Sequence, residues 1–114
     1  MIINRECQVS QIKTTNNAAP AAGAANSATG GGFAYGGFAG GVVTVPTGSS
    51  LTLLTWYKSD DNVTYTPLDA GGGSATTTTV AAGYCYSIPL ALFGAKYIAV
   101  QGNVAGTLLV SLKS

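Results

Sequence analysis

Short apolar runs alternate with turn-forming Gly, Pro, Asn, Asp and Ser from about residue 42 to the end of the chain. The clearest run is LTLLTWYK at residues 51–58, where β-branched and aromatic residues favour a strand and apolar side chains on both faces indicate a central one. Shorter runs predict strands at residues 42–46, 63–66, 76–81 and 84–88. Because no run has a sustained helical period, the sequence predicts an all-β fold.

The last two runs, residues 96–101 and 107–113, alternate most clearly, and the turn sequence GNVAG between them predicts a hairpin. Before them, residues 89–95 predict a single helical turn that begins at Pro89 and ends at Gly94. About seven short strands predict an antiparallel β-sandwich, either jelly-roll or immunoglobulin-like, which the sequence does not separate. The predicted core positions of the hairpin are Ile98, Val100, Leu108, Val110 and Leu112.

The N-terminal third of the chain has a different character. Residues 2–9 alternate weakly, as in a short strand or an extended arm, and residues 14–32 contain no large apolar side chain. We therefore predict an extended arm and Ala/Gly-rich linker at residues 1–32 and a sandwich domain at residues 33–114. Small residues allow close backbone approach, so we expect the arm to lie on a neighbouring subunit; a compact loop on its own domain is the alternative.

A glycine-rich run, GGGFAYGGFAGG at residues 30–41, joins the two parts. Its aromatic residues lack the polar neighbours that base or sugar stacking usually needs, so we interpret them as anchors in the core or in an interface pocket. With the apolar and basic residues of the arm they give the predicted partner-binding set: Ile2, Ile3, Arg5, Val9, Ile12, Phe33, Tyr35 and Phe38.

Charge is sparse, because five Lys and Arg and four Asp and Glu make up 8% of the residues, against roughly 25% in ordinary soluble domains. This composition favours a surface that is largely covered by partners; a secreted domain coated with uncharged polar residues is the alternative. A net charge of +1 without a basic cluster argues against nucleic acid. The sequence also predicts neither a targeting signal nor a membrane span.

The chemistry of catalysis is nearly absent from the sequence, which has no His, one Glu and one Arg. We therefore predict no enzyme activity and no cofactor. The run SDDN at residues 59–62 predicts a structural turn, with a calcium loop as the weaker alternative because the closing Glu is missing. Cys7 and Cys85 are interpreted as buried thiols, with one disulfide as the alternative; without His they predict no zinc site.

The stretch TWYKSDDNVTYTPLDAGGG, a Thr-rich strand, and then AGYCYSIPLALFGAKYIAVQGN carry a resemblance over roughly residues 51–114. Their Trp-Tyr pair, Ser-Asp turn, Tyr-x-x-Pro and aromatic before the last hairpin resemble the β-sandwich decoration, or cement, proteins of tailed phages. The resemblance implies a homo-oligomer, a trimer or else a dimer, bound to the major capsid protein on the outer surface of the virion after synthesis in the host cytoplasm. It also implies that terminal arms clamp the shell.

A second function class remains open from the sequence. Trp56 and Tyr57, with Tyr65 and the turn at residues 60–62, could form the aromatic platform of a carbohydrate-binding or adhesion module in a virion fibre. Since Trp56 lies in a strand that is predicted to be buried, core packing is the favoured interpretation of this residue.

Overall fold

The structure, a computed structural model, describes residues 8–26 and 31–113. The described chain is all-β, as predicted, and contains one short 3-10 turn, Leu90–Leu92. Its strands are β1 Gln8–Asn16, β2 Gly32–Ala34, β3 Gly40–Thr44, β4 Leu53–Ser59, β5 Thr66–Pro67, β6 Asp69–Gly71, β7 Ser74–Ala75, β8 Thr77–Thr79, β9 Cys85–Ser87, β10 Tyr97–Gly102 and β11 Gly106–Lys113.

Nine of these strands form one curled, mixed sheet. Its main path runs β5-β4-β10-β1-β11-β3-β9, while β2 pairs with β10, β8 pairs with β4, and β6 and β7 form a separate hairpin. The strands pair antiparallel except at β1 and β10, where Thr15 lies opposite Gln101 and Asn16 opposite Gly102 in parallel register. The prediction of a purely antiparallel sheet is therefore wrong at this junction.

The predicted C-terminal hairpin is also wrong, although both of its strands form within a residue of their expected bounds. In the described sheet β10 and β11 do not pair with each other, because β1 lies between them. From Gln8 to Thr14, β1 pairs antiparallel with β11, and its last two residues pair with β10. The GNVAG segment therefore joins two strands that diverge around a third.

Side chains at the end of β1 hold this junction together. The Thr14 hydroxyl donates to the Val104 carbonyl at 3.0 Å, and the Asn17 carboxamide donates to the Asn103 carbonyl at 2.9 Å. The backbone N–H of Asn17 donates to the Gly102 carbonyl at 2.9 Å. Gly102 is required here because a Cβ would lie only 2.8 Å from the Thr14 hydroxyl oxygen. The carbonyls of residues 102–104 are thus paired by Thr14 of β1 and by Asn17, which directly follows β1.

The arm predicted at residues 1–32 is corrected where the structure describes it. Residues 8–16 form an inner strand of the sheet, and Ile12 and Thr14 are both buried. Residues 18–26 also lie on their own domain, which was the alternative interpretation. The sequence QVSQIKTTN is mainly polar and gives no clear strand pattern, but its backbone pairs with β11 along residues 8–14 and with β10 at residues 15 and 16.

The buried apolar side chains of the described strands form one core. The five core positions predicted in β10 and β11 are all buried, which confirms them, and Trp56 of β4 is fully buried as the favoured interpretation required. The remaining members of this cluster are Ile12, Phe33, Tyr35, Val43, Val45, Leu51, Leu54, Val80, Ile88, Leu92 and Ala95.

Two shorter segments differ from their predicted form. The return strand expected at residues 63–66 is reduced to Thr66–Pro67, because the backbone N–H groups of Val63 and Thr64 donate to the Asp61 carboxylate instead of a neighbouring strand. Pro67 is the last residue of β5 and pairs opposite Tyr57 at the sheet edge, a position that tolerates a missing N–H.

Ile12→Ala tests whether β1 is part of the core. Removing this buried side chain leaves a cavity, so we expect the free energy of unfolding to fall by about 2–5 kcal/mol. Lys13→Ala, an exposed position on the same strand, is the matched control and should change it by less than about 0.5 kcal/mol. Urea denaturation of both variants measures the difference; equal, small effects would mean that β1 is not packed in the core.

Candidate partner-binding surface

The aromatic residues predicted to bind a partner lie mostly inside their own domain. Phe33 and Tyr35 are buried, with ring centroids 6.1 Å apart in an edge-to-face arrangement, and burial raises the pKa of the Tyr35 hydroxyl. Phe33 enters the core because β2 pairs with β10, which places it opposite Ile98. Of the two interpretations of these anchors, core packing is the one the structure supports for Phe33 and Tyr35.

The other predicted contact residues are distributed differently. Ile12 is a core residue, and Phe38 is partly buried against the core. Val9 lies in β1 opposite Ser111. Three more residues, Ile2, Ile3 and Arg5, lie outside the described part of the chain and stay predictions. The structure therefore does not bring the predicted set together on one surface.

Within residues 8–26 and 31–113, a different segment carries two large apolar side chains that are well exposed. Leu90 is 88% exposed and Phe93 is 65% exposed, although both are large and apolar. We call residues 89–94 the apolar turn. The predicted helical turn is confirmed as a 3-10 turn here, with backbone bonds from Leu92 to Pro89 and from Phe93 to Leu90, each 3.0 Å long.

The apolar turn is anchored by one buried side chain and exposes two others. Leu90 and Phe93 are three residues apart, the spacing of one 3-10 turn, and Phe93 caps the turn with a non-helical ψ of 127°. Leu92, 1% exposed, points instead into the core and anchors the turn. Gly94 ends the turn with a φ of 97°, which an L-residue rarely adopts. Two large apolar groups are thus presented to solvent on a fixed support.

A shallow groove adjoins the apolar turn. It is lined by residues 35–39 on one side and by residues 93–95 on the other, so Phe93 forms part of its wall. The partly buried Phe38 and the buried Tyr35 also belong to this lining, which therefore includes three aromatic residues. The glycine-rich run is therefore close to the exposed apolar residues, although its own aromatics are mainly inside.

The other exposed large apolar side chains of the described chain lie on three separate segments. Val63 in the turn after β4, Tyr84 before β9 and Leu53 at the start of β4 are 60%, 65% and 37% exposed. Single exposed apolar residues are common on protein surfaces and indicate no site.

The sequence predicted only a helical turn for PLALFGA and did not indicate which side of it faces solvent. In the structure Leu92 and Ala95 are buried, and Leu90 and Phe93 are exposed.

The SDDN turn is structural, as predicted. One carboxylate oxygen of Asp61 accepts the Ser59 hydroxyl at 3.0 Å and the backbone N–H groups of Val63 and Thr64 at 2.9 Å each. Asp60 forms an exposed ion pair with Lys58 at 2.8 Å. Within residues 8–26 and 31–113, no cluster of three or more metal-ligating side chains occurs. The Asp61 carboxylate therefore organises the turn, and the calcium interpretation gains no support.

The Trp56-Tyr57 pair does not form an exposed platform. The indole of Trp56 is fully buried, and its Nε1–H donates to the Thr78 hydroxyl at 2.9 Å. The Tyr57 hydroxyl donates to the Gln101 carboxamide oxygen at 2.8 Å. The polar groups of both side chains therefore already bond within the domain, to Thr78 of β8 and to Gln101 of β10.

Cys85 differs from its predicted buried state, because it is exposed on β9. Cys7 lies outside the described residues, so the alternative of a Cys7–Cys85 disulfide stays untested. The exposure follows from the pairing of β9, a three-residue strand at the end of the sheet path.

Comparisons with known proteins gave no relative: no family model, curated protein or solved structure matches this chain. Among the described residues, no helix has the length and apolar character needed to cross a membrane.

Asp61→Asn tests the role of the carboxylate in the turn. The backbone N–H of Thr64, then that of Val63 and the Ser59 hydroxyl, lower the pKa of Asp61 below its ordinary value of 3.8. A lowered folded-state pKa stabilises the protein above the ordinary value, and this stabilisation is lost as the pH falls through the folded-state value. We therefore expect wild type and Asp61→Asn to differ in free energy of unfolding near neutral pH, and the difference to disappear as the pH falls through the folded-state pKa of Asp61.

Asp60→Asn is the control for this titration. Asp60 is exposed and pairs only with the exposed Lys58, so its loss should change the acid dependence little. The nearby Tyr65 has a pKa raised chiefly by burial and stays protonated throughout the acid range. Denaturation at several pH values measures both variants. If Asp60→Asn removed as much of the acid dependence as Asp61→Asn, the assignment to Asp61 would be wrong.

Proposed function

We propose that this chain is a viral structural protein, a decoration or cement protein on the outer surface of a tailed-phage capsid. It binds the major capsid protein and stabilises contacts between its subunits, without catalysing a reaction. The observation that carries the proposal is the apolar turn, where Leu90 and Phe93 are presented to solvent on a support fixed by the buried Leu92. A rigid, exposed apolar pair is suited to fill a pocket on another protein.

Low charge supports the same proposal. With 8% charged residues, the chain has little of the charged surface that keeps a freely diffusing protein soluble. A surface of this kind is more stable when it is covered by partner subunits. In the proposed setting, the partners are the capsid protein and further copies of this chain, as a trimer or else as a dimer.

Repetition of a modest contact explains how the proposed protein would strengthen a capsid. A stable interface usually buries about 800 Å² on each partner, which is more than two exposed side chains supply. An oligomer that engages several capsid sites at once gains affinity because each later contact is intramolecular. The apolar turn then serves as one anchor in each of several equivalent contacts.

We also propose that the two halves of the curled sheet act as the layers of a β-sandwich. One half contains β1, β11, β3 and β9, and the other contains β10, β4 and their partners β2, β5 and β8. Val43 and Val110 from the first half and Trp56 and Val100 from the second belong to the same core cluster, which supports this arrangement.

The carbohydrate-binding alternative has less support. It relied on an exposed Trp56, and that side chain is fully buried with its indole N–H already bonded. Tyr65 is likewise engaged within the domain through its hydroxyl. We therefore do not propose this function.

The double variant Leu90→Ser/Phe93→Ser tests the proposal. It removes the exposed apolar pair but keeps Leu92, so the domain should remain folded while occupancy of the capsid falls at least about tenfold. Co-sedimentation with undecorated heads of the virus that encodes the chain measures occupancy. Val63→Ser, at an exposed apolar residue of a separate segment, is the matched control and should bind as wild type does.

The outcomes of this experiment are distinct. A folded double variant that still binds heads like wild type would exclude the apolar turn as the anchor. Failure of the wild-type protein to bind heads at all would contradict the proposed function. Sedimentation velocity of the free protein in the same buffer tests the oligomer, and a monomer at all concentrations would contradict that part of the proposal.

A further inference from the structure

The Ala/Gly-rich tract has an unusual attachment to its domain. We call residues 18–26 the strap. Its buried members are Pro20, Ala24 and Ala25, so it contributes no large apolar side chain to the core. Segments with little apolar burial open at lower free energy than the sheet to which they are attached. The strap must therefore be held mainly by polar contacts.

Most of those contacts converge on the turn after β4. The backbone carbonyl of Asn62 accepts the Gly23 N–H at 2.6 Å, and its side-chain oxygen accepts the Ala25 N–H at 3.0 Å. The Tyr65 hydroxyl oxygen lies 3.1 Å from the same Ala25 nitrogen, and this hydroxyl donates to the Asn62 side-chain oxygen. We call Asn62 and Tyr65 the latch.

The latch is itself preorganised. Asn62 has a φ of 58°, a left-handed conformation that Asn tolerates better than most residues. The Ser59 hydroxyl oxygen accepts the Asn62 N–H at 2.9 Å, and Asp61 fixes the residues that follow. The turn is therefore formed independently of the strap, which contacts it from outside.

The strap covers the outer edge of β2. On its inner side β2 pairs with β10, whereas on its outer side Ala25 bridges Gly32 in parallel and the Asn26 N–H donates to the Gly32 carbonyl at 3.3 Å. A Cβ on Gly32 would lie 2.9 Å from the Ala25 Cα, so the glycine permits this close cover. Edge strands need such protection because their free backbone groups can pair with another chain.

We propose that the strap is a releasable cover of the β2 edge, which opens as a unit when the latch breaks while the curled sheet stays folded. Breaking the latch frees the Gly23 and Ala25 amides. The remaining hydrogen bonds lie at the two ends of the strap: the Thr15 hydroxyl donates to the Ala18 carbonyl, and the Asn26 N–H donates to the Gly32 carbonyl. Opening exposes the backbone of Gly32 without removing a large side chain from the core. The proposal does not depend on capsid binding.

Hydrogen exchange of the full-length protein, followed by NMR at low urea concentrations, tests this directly. The amides of Gly23, Ala25 and Asn26 report on the strap, and those of Val45 and Ile88, bonded at 2.9 and 3.0 Å, report on the sheet. We expect strap amides to exchange faster, with little dependence on urea, because a local opening exposes little surface. Sheet amides should show the steep dependence of global unfolding.

A matched pair of hydroxyl deletions identifies the latch. Tyr65→Phe should speed exchange of the Ala25 amide by about threefold to tenfold, the effect of one lost hydrogen bond. Tyr57→Phe removes a hydroxyl that bonds Gln101 instead, so it should leave the strap amides unchanged relative to the sheet. Asn62→Gly keeps the positive φ and removes the side chain, and should speed strap exchange by at least about tenfold.

The proposal fails if strap and sheet amides of the wild type exchange with the same rates and the same urea dependence. It also fails if Tyr65→Phe and Tyr57→Phe change strap exchange equally. Should Asn62→Gly not fold, the two Tyr→Phe variants, which delete one atom each, still give the decisive comparison.

Discussion

The fold depends on the pairing of β1 with two strands at once. β10 and β11 follow one another in the chain but diverge, and each has backbone groups on the side that a simple hairpin would have joined. β1 fills that side of β11 along Gln8–Thr14 and meets β10 at its last two residues. Buried backbone groups must find hydrogen-bond partners. Without β1, the backbone groups of β10 and β11 that face each other across the gap would have none in this arrangement.

The sequence predicts the local structure correctly where the burial of apolar side chains determines it. Ile98, Val100, Leu108, Val110 and Leu112 are buried as predicted, and the turn at Pro89–Gly94 and the SDDN turn both form. The sequence predicts less well which strands pair with each other. In β1, Ile12 and Thr14 are buried among mainly polar residues, and the pairing of the strand is a property of backbone groups that every residue carries. A sequence pattern therefore could not distinguish an inner strand from an arm.

The candidate surface was misjudged for a related reason. Phe33 and Tyr35 stand among glycines, a setting that left both the core and an interface pocket open, and pairing of β2 with β10 takes Phe33 into the core. In the apolar turn the opposite happens: a one-turn helix can bury only one side, so Leu92 turns inward and leaves Leu90 and Phe93 outside. Which side faces the core depends on the tertiary setting. The spacing of Leu90 and Phe93 was nevertheless a signal that could have indicated a shared exposed face.

Inter-strand NOEs in a uniformly labelled sample test the central role of β1 most directly. The account predicts contacts between Ser10 and Val110 and between Ile12 and Leu108, with contacts from Asn16 to Gly102 on the other side. It also predicts that β10 and β11 give no ladder of mutual contacts beyond the loop that joins them. A continuous β10–β11 ladder, together with the absence of contacts from residues 8–16, would contradict the account.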